Sequence, residues 1–319
     1  MAGLDDLPPG TPASAPPPGV APDYVDPTFM GPSFVALGIF LSLSLLAVFV
    51  RIFVRFRITK AWGWDDYTCI KAAIGSVIYA ILYVKVSTEY PVRHIWEITL
   101  SSYASAIETQ TLSVNGIVYQ ITIFFTKLSI LLLYLRIFSV NQAFTRVTIA
   151  SIVVLTLLYV PLAGLAIGFL AACNDLTNLL ESPFCKHYSS PTLAFSAIFN
   201  VVTDLWLLLL PFPLLIKLQM QPRQKLGLAA VFAAGVGACA ASVARLAEII
   251  IHRNSSDPTW SHGIIAEFSF AEINIGIIVA CSSVFPAFFS RVKGALRHAP
   301  DESKHTQLPD SEPDASQTT

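Results

Sequence analysis

The stretch VTIASIVVLTLLYVPLAGLAIGFLAA, residues 147–172, sets the fold class, because its 26 residues include no charged side chain. An α-helix needs about 20 apolar residues to cross the hydrocarbon core of a bilayer. The stretch meets that length and is interrupted only by Pro161. It therefore predicts a helix that crosses a membrane.

The composition of the whole chain supports the same prediction. Of its 319 residues, 54% are hydrophobic and only 13% are charged, whereas soluble domains carry about 25% charged residues. The formal net charge is -1, and no basic patch is interleaved with aromatic residues, so the sequence offers no basis for binding nucleic acid. We expect a protein whose main surroundings are membrane lipids.

Six further segments have a similar length and polarity, which predicts an all-α, polytopic membrane protein with seven transmembrane helices. The predicted helices cover residues 33–53, 67–86, 114–138, 147–172, 191–216, 226–251 and 263–289. They divide the chain into a proline-rich extracellular tail at 1–32, a membrane domain at 33–290 and a cytoplasmic tail at 291–319. Both tails are predicted to be disordered, because they lack the apolar residues that a packed core needs.

The basic residues predict the orientation of these helices. Loops on the cytoplasmic side of a membrane carry an excess of Lys and Arg. With the N-terminus outside, thirteen Lys and Arg residues lie on the cytoplasmic side and four, Lys85, Arg93, Lys186 and Arg253, lie outside. An even number of helices would scramble this bias, so it predicts an external N-terminus and a cytoplasmic C-terminus. The expected location is the plasma membrane or an endomembrane, crossed several times.

Two of the five cysteines are predicted to form a disulfide. Cys69, Cys239 and Cys281 lie in predicted helices, where cysteine behaves as a small apolar packing residue. Cys173 and Cys185 lie together in the outer loop between the fourth and fifth predicted helices, in an oxidising compartment. No other outer cysteine competes, so these two are expected to close that loop.

Ionisable residues within the predicted helices are the candidate functional residues, because charge is costly inside a bilayer. Lys127 has no charged neighbour on its own helix, so its partner is expected from another helix, either Asp204 or Glu272. At 1.5 Å per residue, Lys127 lies about 13 Å from the cytoplasmic end at Arg136. Asp204 also lies near the middle of the membrane and is therefore the preferred partner.

Other polar residues extend this site. Asn200 shares a helix face with Asp204, and Arg245, Glu248 and Glu267 lie in the outer third of the membrane. The candidate ligand-binding residues, or buried polar network, are Lys127, Asn200, Asp204, Arg245, Glu248, Glu267 and Glu272. An outward-facing polar cavity between the third, fifth, sixth and seventh helices is the preferred explanation. The alternative is polar contacts that only join helices, including an Arg245–Glu248 pair on one helix face.

Several motifs of known seven-helix proteins and enzymes do not occur in the sequence. The seventh predicted helix has no lysine for a retinal Schiff base and no Asn-Pro-x-x-Tyr. The third ends Tyr134-Leu135-Arg136-Ile137-Phe138 without an acidic-Arg-aromatic triplet, so G-protein coupling has no support from motifs. No Walker loop, His-Glu-x-x-His or Gly-x-Ser-x-Gly occurs, and the outer histidines match no metal-ligand spacing. The sequence thus predicts no catalytic residue, cofactor or metal site.

A set of short motifs follows in order along residues 33–290. They are Arg51 to Arg55, Trp64-Asp65-Asp66-Tyr67, Arg93-His94, Tyr119, Thr126-Lys127-Leu128-Ser129-Ile130, Tyr134-Leu135-Arg136, Cys173, Cys185, Asn200, Thr203-Asp204, Pro211-Phe212-Pro213, Leu218-Gln219-Met220, Lys225, Gly235, Arg245, Glu272 and Gly276-Ile277-Ile278-Val279-Ala280-Cys281. The ordered set resembles the fungal rhodopsin-domain integral membrane proteins, a group that includes a membrane protein of the satratoxin biosynthetic cluster. The resemblance implies a receptor-like, seven-helix architecture, and in this family the word rhodopsin describes architecture rather than light sensing.

Three functions are compatible with these features, and a receptor-like protein is preferred. It would bind a small lipophilic ligand from the outer side, with membrane lipid as its other partner. The first alternative is a membrane-embedded enzyme similar to the seven-helix terpene cyclases, in which Asp204 and Glu272 act as acids on a lipophilic intermediate of a secondary-metabolite pathway. The second alternative is a transporter, although the sequence lacks helix-breaking pairs in two related halves.

Overall fold

The computed structural model describes residues 12, 14–20, 30–89, 94–99, 106–173, 182–216, 222–252, 255 and 257–285. Within these ranges the chain forms seven long helices, α1 to α7, each with a segment apolar enough to cross a membrane. Their bounds in chain order are Met30–Phe53, Trp64–Glu89, Ala106–Ile137, Gln142–Ala172, Pro183–Leu209, Pro222–Ile251 and Pro258–Cys281. Shorter helical turns cover Val54–Thr59, Ile95–Glu97, Phe212–Ile216 and Ser282–Val284. The predicted all-α, seven-helix fold is confirmed.

Several helices extend beyond the apolar runs that predict them. α5 begins at Pro183 and carries Pro191, the predicted start, in its interior. The starts of two helices are capped by side chains: Asn141 accepts a backbone hydrogen bond from the first turn of α4 (3.2 Å), and Asp257 does the same for α7 (3.4 Å). Such caps satisfy backbone N–H groups that have no partner within the helix. Polar capping residues end a hydropathy signal but begin a helix, so the predicted starts of these helices are several residues too late.

α3 and α7 form the centre of the bundle. Half of the residues in their membrane spans are buried (50% each), compared with 17% in α4 and 22% in α1, α5 and α6. α3 packs against α2 and α4, α7 packs against α1 and α6, and α3 and α7 contact each other. Polar side chains on these two helices therefore lie in the interior. By contrast, α4 turns apolar side chains such as Leu157 and Ile167 outward, as expected of a helix that faces lipid.

Cys173 and Cys185 form a disulfide that joins the end of α4 to the first turn of α5, with a Cα–Cα distance of 6.0 Å. Both residues are buried. The pairing predicted from their shared loop is confirmed. Cys69, Cys239 and Cys281 are buried and unbridged, as expected of cysteines that pack as small apolar residues.

The two ends of the bundle are distinguished by their residues. The inner end bears Arg51 and Arg136, which belong to the side predicted to be cytoplasmic, and the outer end bears Cys173 and Asp257. The sidedness of the protein in its membrane stays a prediction.

The two predicted tails are described only in small part. Residues 291–319 lie outside the described residues, as do most of residues 1–32. Within the first tail, α1 already begins at Met30, and Pro12 pairs with Thr99 in an isolated antiparallel bridge. The described part of this tail therefore contacts the segment between α2 and α3.

Candidate functional site

Four ionisable side chains meet inside the bundle, one from each of α3, α5, α6 and α7. They are Lys127, Asp204, Arg245 and Glu272; Lys127 and Glu272 are 1% exposed and Arg245 is 3% exposed. Two are basic and two are acidic, so their formal charges cancel. An unpaired charge taken out of water costs several kcal/mol, and the structure gives each of the four a partner of opposite sign.

Lys127 is bound by one face of α5. Its ammonium nitrogen lies 2.8 Å from Oδ1 of Asp204. It also donates to the backbone oxygen of Asn200 (2.9 Å), the side-chain Oδ1 of Asn200 (2.8 Å) and the hydroxyl of Thr203 (2.7 Å). The Lys127–Asp204 pair predicted from depth in the membrane is confirmed.

Arg245 of α6 pairs with Glu272 of α7, at 3.4 Å between Nε and Oε2. Its guanidinium lies over the ring of Tyr119, 4.7 Å from the centroid, and the Tyr119 hydroxyl donates to Glu272 (3.1 Å). The alternative pair of Arg245 with Glu248 is not formed, since Glu248 instead lies 2.9 Å from His252. The physical reason is burial: Glu272 is enclosed and needs a cation, whereas the Glu248 side chain near the helix end stays 13% exposed.

Asn200 connects the two ion pairs. Its side-chain N–H groups donate to Oε1 of Glu272 (2.7 Å) and Oδ2 of Asp204 (3.2 Å). Its Oδ1 accepts from Lys127 and from the hydroxyl of Tyr159 on α4 (2.8 Å). A side-chain amide has two donor and two acceptor positions, and all four are used here. One amide therefore links side chains from α3, α4, α5 and α7.

Neutral hydroxyl groups complete the network, and sequence analysis did not include them among the site residues. They are the hydroxyl groups of Tyr119, Tyr159 and Thr203, described above, and that of Ser242 on α6, which donates to Asp204. These groups satisfy lone pairs that the cations leave free. The available signal was spacing: Tyr119 lies two helical turns before Lys127, and Thr203 adjoins Asp204. Hydroxyl side chains are too common in membrane helices for that spacing to identify a site by itself.

Glu248 and Glu267 lie outside the network. Glu267 accepts a hydrogen bond from the hydroxyl of Tyr83 on α2 (3.3 Å). It lies on α7 five positions before Glu272, which places the two carboxylates about 140° apart around the helix. Of the seven predicted residues, the structure therefore brings together Lys127, Asn200, Asp204, Arg245 and Glu272. Depth in the membrane was a sound guide to distance along a helix but not to direction around it.

A cavity of about 60 Å³ adjoins the network between α3, α5, α6 and α7. Lys127, Asp204 and Glu272 form its polar end. Its walls are mostly apolar and include Ile123, Ile130, Tyr134, Leu207, Leu208, Val231, Phe232, Ala238, Cys239 and Val279. This cavity lies between the four helices predicted to hold one, but it extends from the charged residues toward the inner end, and most of its lining is apolar. Toward the outer end, Tyr119 and Arg245 pack with Glu272.

A second group of charges ties α1, α2, α3 and α7 together at the inner end. Arg51 is buried and pairs with Asp65 (2.6 Å) and Asp66 (2.7 Å) at the start of α2, and it donates to a backbone oxygen of α7. Arg136 of α3 lies 3.1 Å from Asp65, and Arg55 lies 3.3 Å from Asp66. Sequence analysis predicted no partner for these arginines. The missed signal was two arginines on one helix face followed by two adjacent aspartates.

At the outer end, Asp257 joins the 94–99 segment to α7. Its carboxylate accepts a hydrogen bond from the backbone N–H of Ile95 (3.0 Å) and lies 2.5 Å from Nδ1 of His94. The His94 ring is stacked between Trp96 (4.4 Å) and Trp260 (4.5 Å). His94 is therefore part of a packed aromatic stack.

Seven membrane-spanning helices around a charge-balanced interior network define a polytopic, receptor-like membrane protein. Residues 50–291 match the family described as the fungal rhodopsin domain, and the chain belongs to this family. The resemblance inferred from the ordered motifs is thereby confirmed. Every residue of the interior network lies within the matched range.

Curated relatives of the chain come from fungi. A SAT4 family membrane protein of Emericella nidulans is 32% identical over 246 residues, which is 75% of this chain and 58% of that relative. Receptor GIN3 of Arthrobotrys oligospora is 26% identical over 82% of this chain and 62% of its own length. The chain thus spans about three-fifths of these two relatives. Fugralins biosynthesis cluster protein 2 of Gibberella zeae is 24% identical over 103 residues. No solved structure matches the chain.

Proposed function

We propose that this protein is a receptor that binds a small lipophilic ligand in the cavity beside the Lys127–Asp204 pair. The observation that carries the proposal is a partly open cavity with apolar walls and one polar end, lined by residues of four helices. Small-molecule sites commonly have this composition, in which apolar walls supply binding energy and a few polar groups fix orientation.

The lining residues suggest the chemistry of the ligand. Ile130, Leu207 and Phe232 favour an apolar body. At the polar end, Lys127 and Asp204 offer a donor and an acceptor to a hydroxyl or carbonyl group. The charges of the network already cancel, and a charged ligand would leave one of them uncompensated in the membrane interior. We therefore propose a neutral ligand with one hydrogen-bonding end.

The network offers a way for ligand binding to affect the helices. Asp204 contacts the ligand site and is bonded to Lys127 of α3, Asn200 of α5 and Ser242 of α6. A ligand hydroxyl that bonds to Asp204 would compete with those contacts. Binding would thereby change the relative stability of helix arrangements, which is what a receptor requires.

The relatives support a receptor more than the alternatives. One of them is named as a receptor, Receptor GIN3. Another is named for a biosynthesis cluster, but it aligns with only 32% of this chain. Among the described residues, both carboxylates that an enzyme would use are engaged by cations. The receptor is therefore the function we propose.

Native mass spectrometry of protein purified from a fungal host in mild detergent tests this proposal. Ala238 lines the cavity, and Ala238→Phe would occupy part of it. Ala240 lies on the same helix with an exposed side chain, so Ala240→Phe is the matched control. We expect wild type and the Ala240→Phe variant to retain a neutral small molecule and the Ala238→Phe variant to lose it. Equal retention by both variants, or none by wild type, would contradict the proposal.

A further inference from the structure

The connection between α1 and α2 exposes basic side chains at the inner end of the bundle. α1 continues into a π-helical turn, Val54–Thr59, which ends at Lys60 in the left-handed conformation (φ 48°). α2 begins four residues later at Trp64. Arg57 and Lys60 are exposed in this connection. Neither has an ion-pair partner among the described residues.

We call this connection, together with the charged residues that contact it, the inner corner. The charge of this corner is not balanced. Asp65 and Asp66 are its acidic residues, and both are occupied by Arg51, Arg55 and Arg136. With the exposed pair Arg57 and Lys60 added, five basic side chains stand against two carboxylates. Nε of Arg55 is buried and lies 3.3 Å from Oδ1 of Asp66, so the Arg55 guanidinium belongs to the inner cluster of charges. The corner therefore has an excess of positive charge.

Aromatic side chains place this corner at the depth of the lipid headgroups. Trp62, Trp64 and Tyr67 are exposed, and Trp64 reaches 78%. The ring of Tyr67 lies 5.7 Å from that of Trp62 and 5.8 Å from that of Trp64. Trp and Tyr are enriched at the membrane–water boundary, where one part of the ring system is apolar and another forms hydrogen bonds. The phosphates of the surrounding lipids lie at the same depth.

We propose that this corner binds the headgroup of an anionic glycerophospholipid at a defined site. Arg57 and Lys60, both exposed, contact the headgroup anion. Trp62 and Trp64 pack against the glycerol region. Charge complementarity distinguishes this site from lipid-facing surface such as that of α4, where Leu157 and Ile167 are exposed. The site is separate from the interior cavity, so it does not depend on the proposed receptor function.

The site has a consequence for the inner cluster of charges. Arg55 shares Asp66 with Arg51. A phosphate that draws Arg55 outward leaves Asp66 to Arg51 and Arg136. Lipid at this corner would thereby adjust the contacts that hold α1 to α2 and α3.

Native mass spectrometry with added lipid tests the site. Phosphatidylserine and phosphatidylcholine with identical acyl chains are titrated into purified protein in neutral detergent. Each of Arg57→Gln and Lys60→Gln is expected to weaken phosphatidylserine binding about fivefold, because one basic residue near a membrane contributes that much to anionic lipid binding. Arg146→Gln is the matched control, since Arg146 is an exposed basic residue at the inner end of α4.

The expected result is preferential retention of phosphatidylserine by wild type and the Arg146→Gln variant, with loss in the other two variants. Equal retention of the two lipids by wild type would overturn the proposal. So would an equal loss in Arg146→Gln, because it would show that general positive charge, rather than this corner, attracts the lipid. Unchanged thermal unfolding of each variant verifies that the substitutions leave the fold intact.

Discussion

Replacing Lys127 with methionine removes the cation that α5 binds in the centre of the bundle. Methionine preserves most of the length of the side chain and loses only the ammonium group. That group lies 2.8 Å from Asp204 and also donates to Asn200 and Thr203. Asp204 would keep its hydrogen bonds from Ser242 and Asn200 but lose its counter-charge.

The size of the expected loss in stability follows from the burial of the ion pair. Breaking a buried ion pair by removing one partner costs about 3–5 kcal/mol, because the other charge stays uncompensated. Lys127→Met and Asp204→Asn should each lower the free energy of unfolding by an amount in that range. The double variant leaves neither charge uncompensated, and replacement of a whole buried pair by neutral groups is often close to neutral. We therefore expect the double variant to be more stable than either single variant.

A double-mutant cycle on thermal unfolding in detergent measures this coupling. Lys71→Met is the control, since Lys71 is exposed on α2 and lies over the ring of Phe125 rather than beside a carboxylate. Its effect on stability should be small. Additive effects of Lys127→Met and Asp204→Asn would refute the pairing, as would a Lys127→Met variant no less stable than the Lys71→Met variant.

Two further experiments test how neighbouring helices are held together. A Cβ atom at Gly75 would lie 2.2 Å from Oγ1 of Thr122 and 3.1 Å from its Cβ, so Gly75→Ala should lower the free energy of unfolding by about 1–3 kcal/mol. Gly164→Ala is the control, because a Cβ atom there would lie in open space. Equal unfolding temperatures of the two variants would contradict the close approach of α2 and α3. Replacing Cys173 and Cys185 together by serine should cost about 3 kcal/mol in the chain-entropy model, measured by thermal unfolding against wild type in reducing and non-reducing buffer. If reductant did not change the unfolding temperature of wild type, and if that temperature equalled that of the double variant, the disulfide would contribute nothing to stability.

The features that the sequence predicted correctly depend on strong, local costs. A charge-free run such as 147–172 has few stable surroundings other than lipid, so the helices could be recognised without tertiary information. The Lys127–Asp204 pair was also predictable, because an isolated lysine at mid-membrane requires an acidic partner at the same depth. The disulfide followed from elimination, since Cys173 and Cys185 were the outer cysteines.

The features that the sequence did not predict depend on how each helix is rotated about its axis and on which helices are neighbours. Arg245 has a carboxylate nearby on its own helix and another on α7, and packing alone decides that Glu272 is the partner. The cluster of Arg51 with Asp65 requires α1, α2 and α7 to meet at one end. The cavity exists where the volume enclosed by four helices slightly exceeds the volume of their side chains. Sequence patterns do not determine such small differences.

A cryo-EM map of the protein purified from a fungal host would show whether the cavity holds a ligand. We predict density for a small molecule between α3, α5, α6 and α7, with its polar end within hydrogen-bonding distance of Asp204 or Lys127 and its body against Phe232 and Val279. Side chains that close the cavity with no ligand density, or a ligand bound at the outer end beyond Arg245, would contradict the proposed binding site.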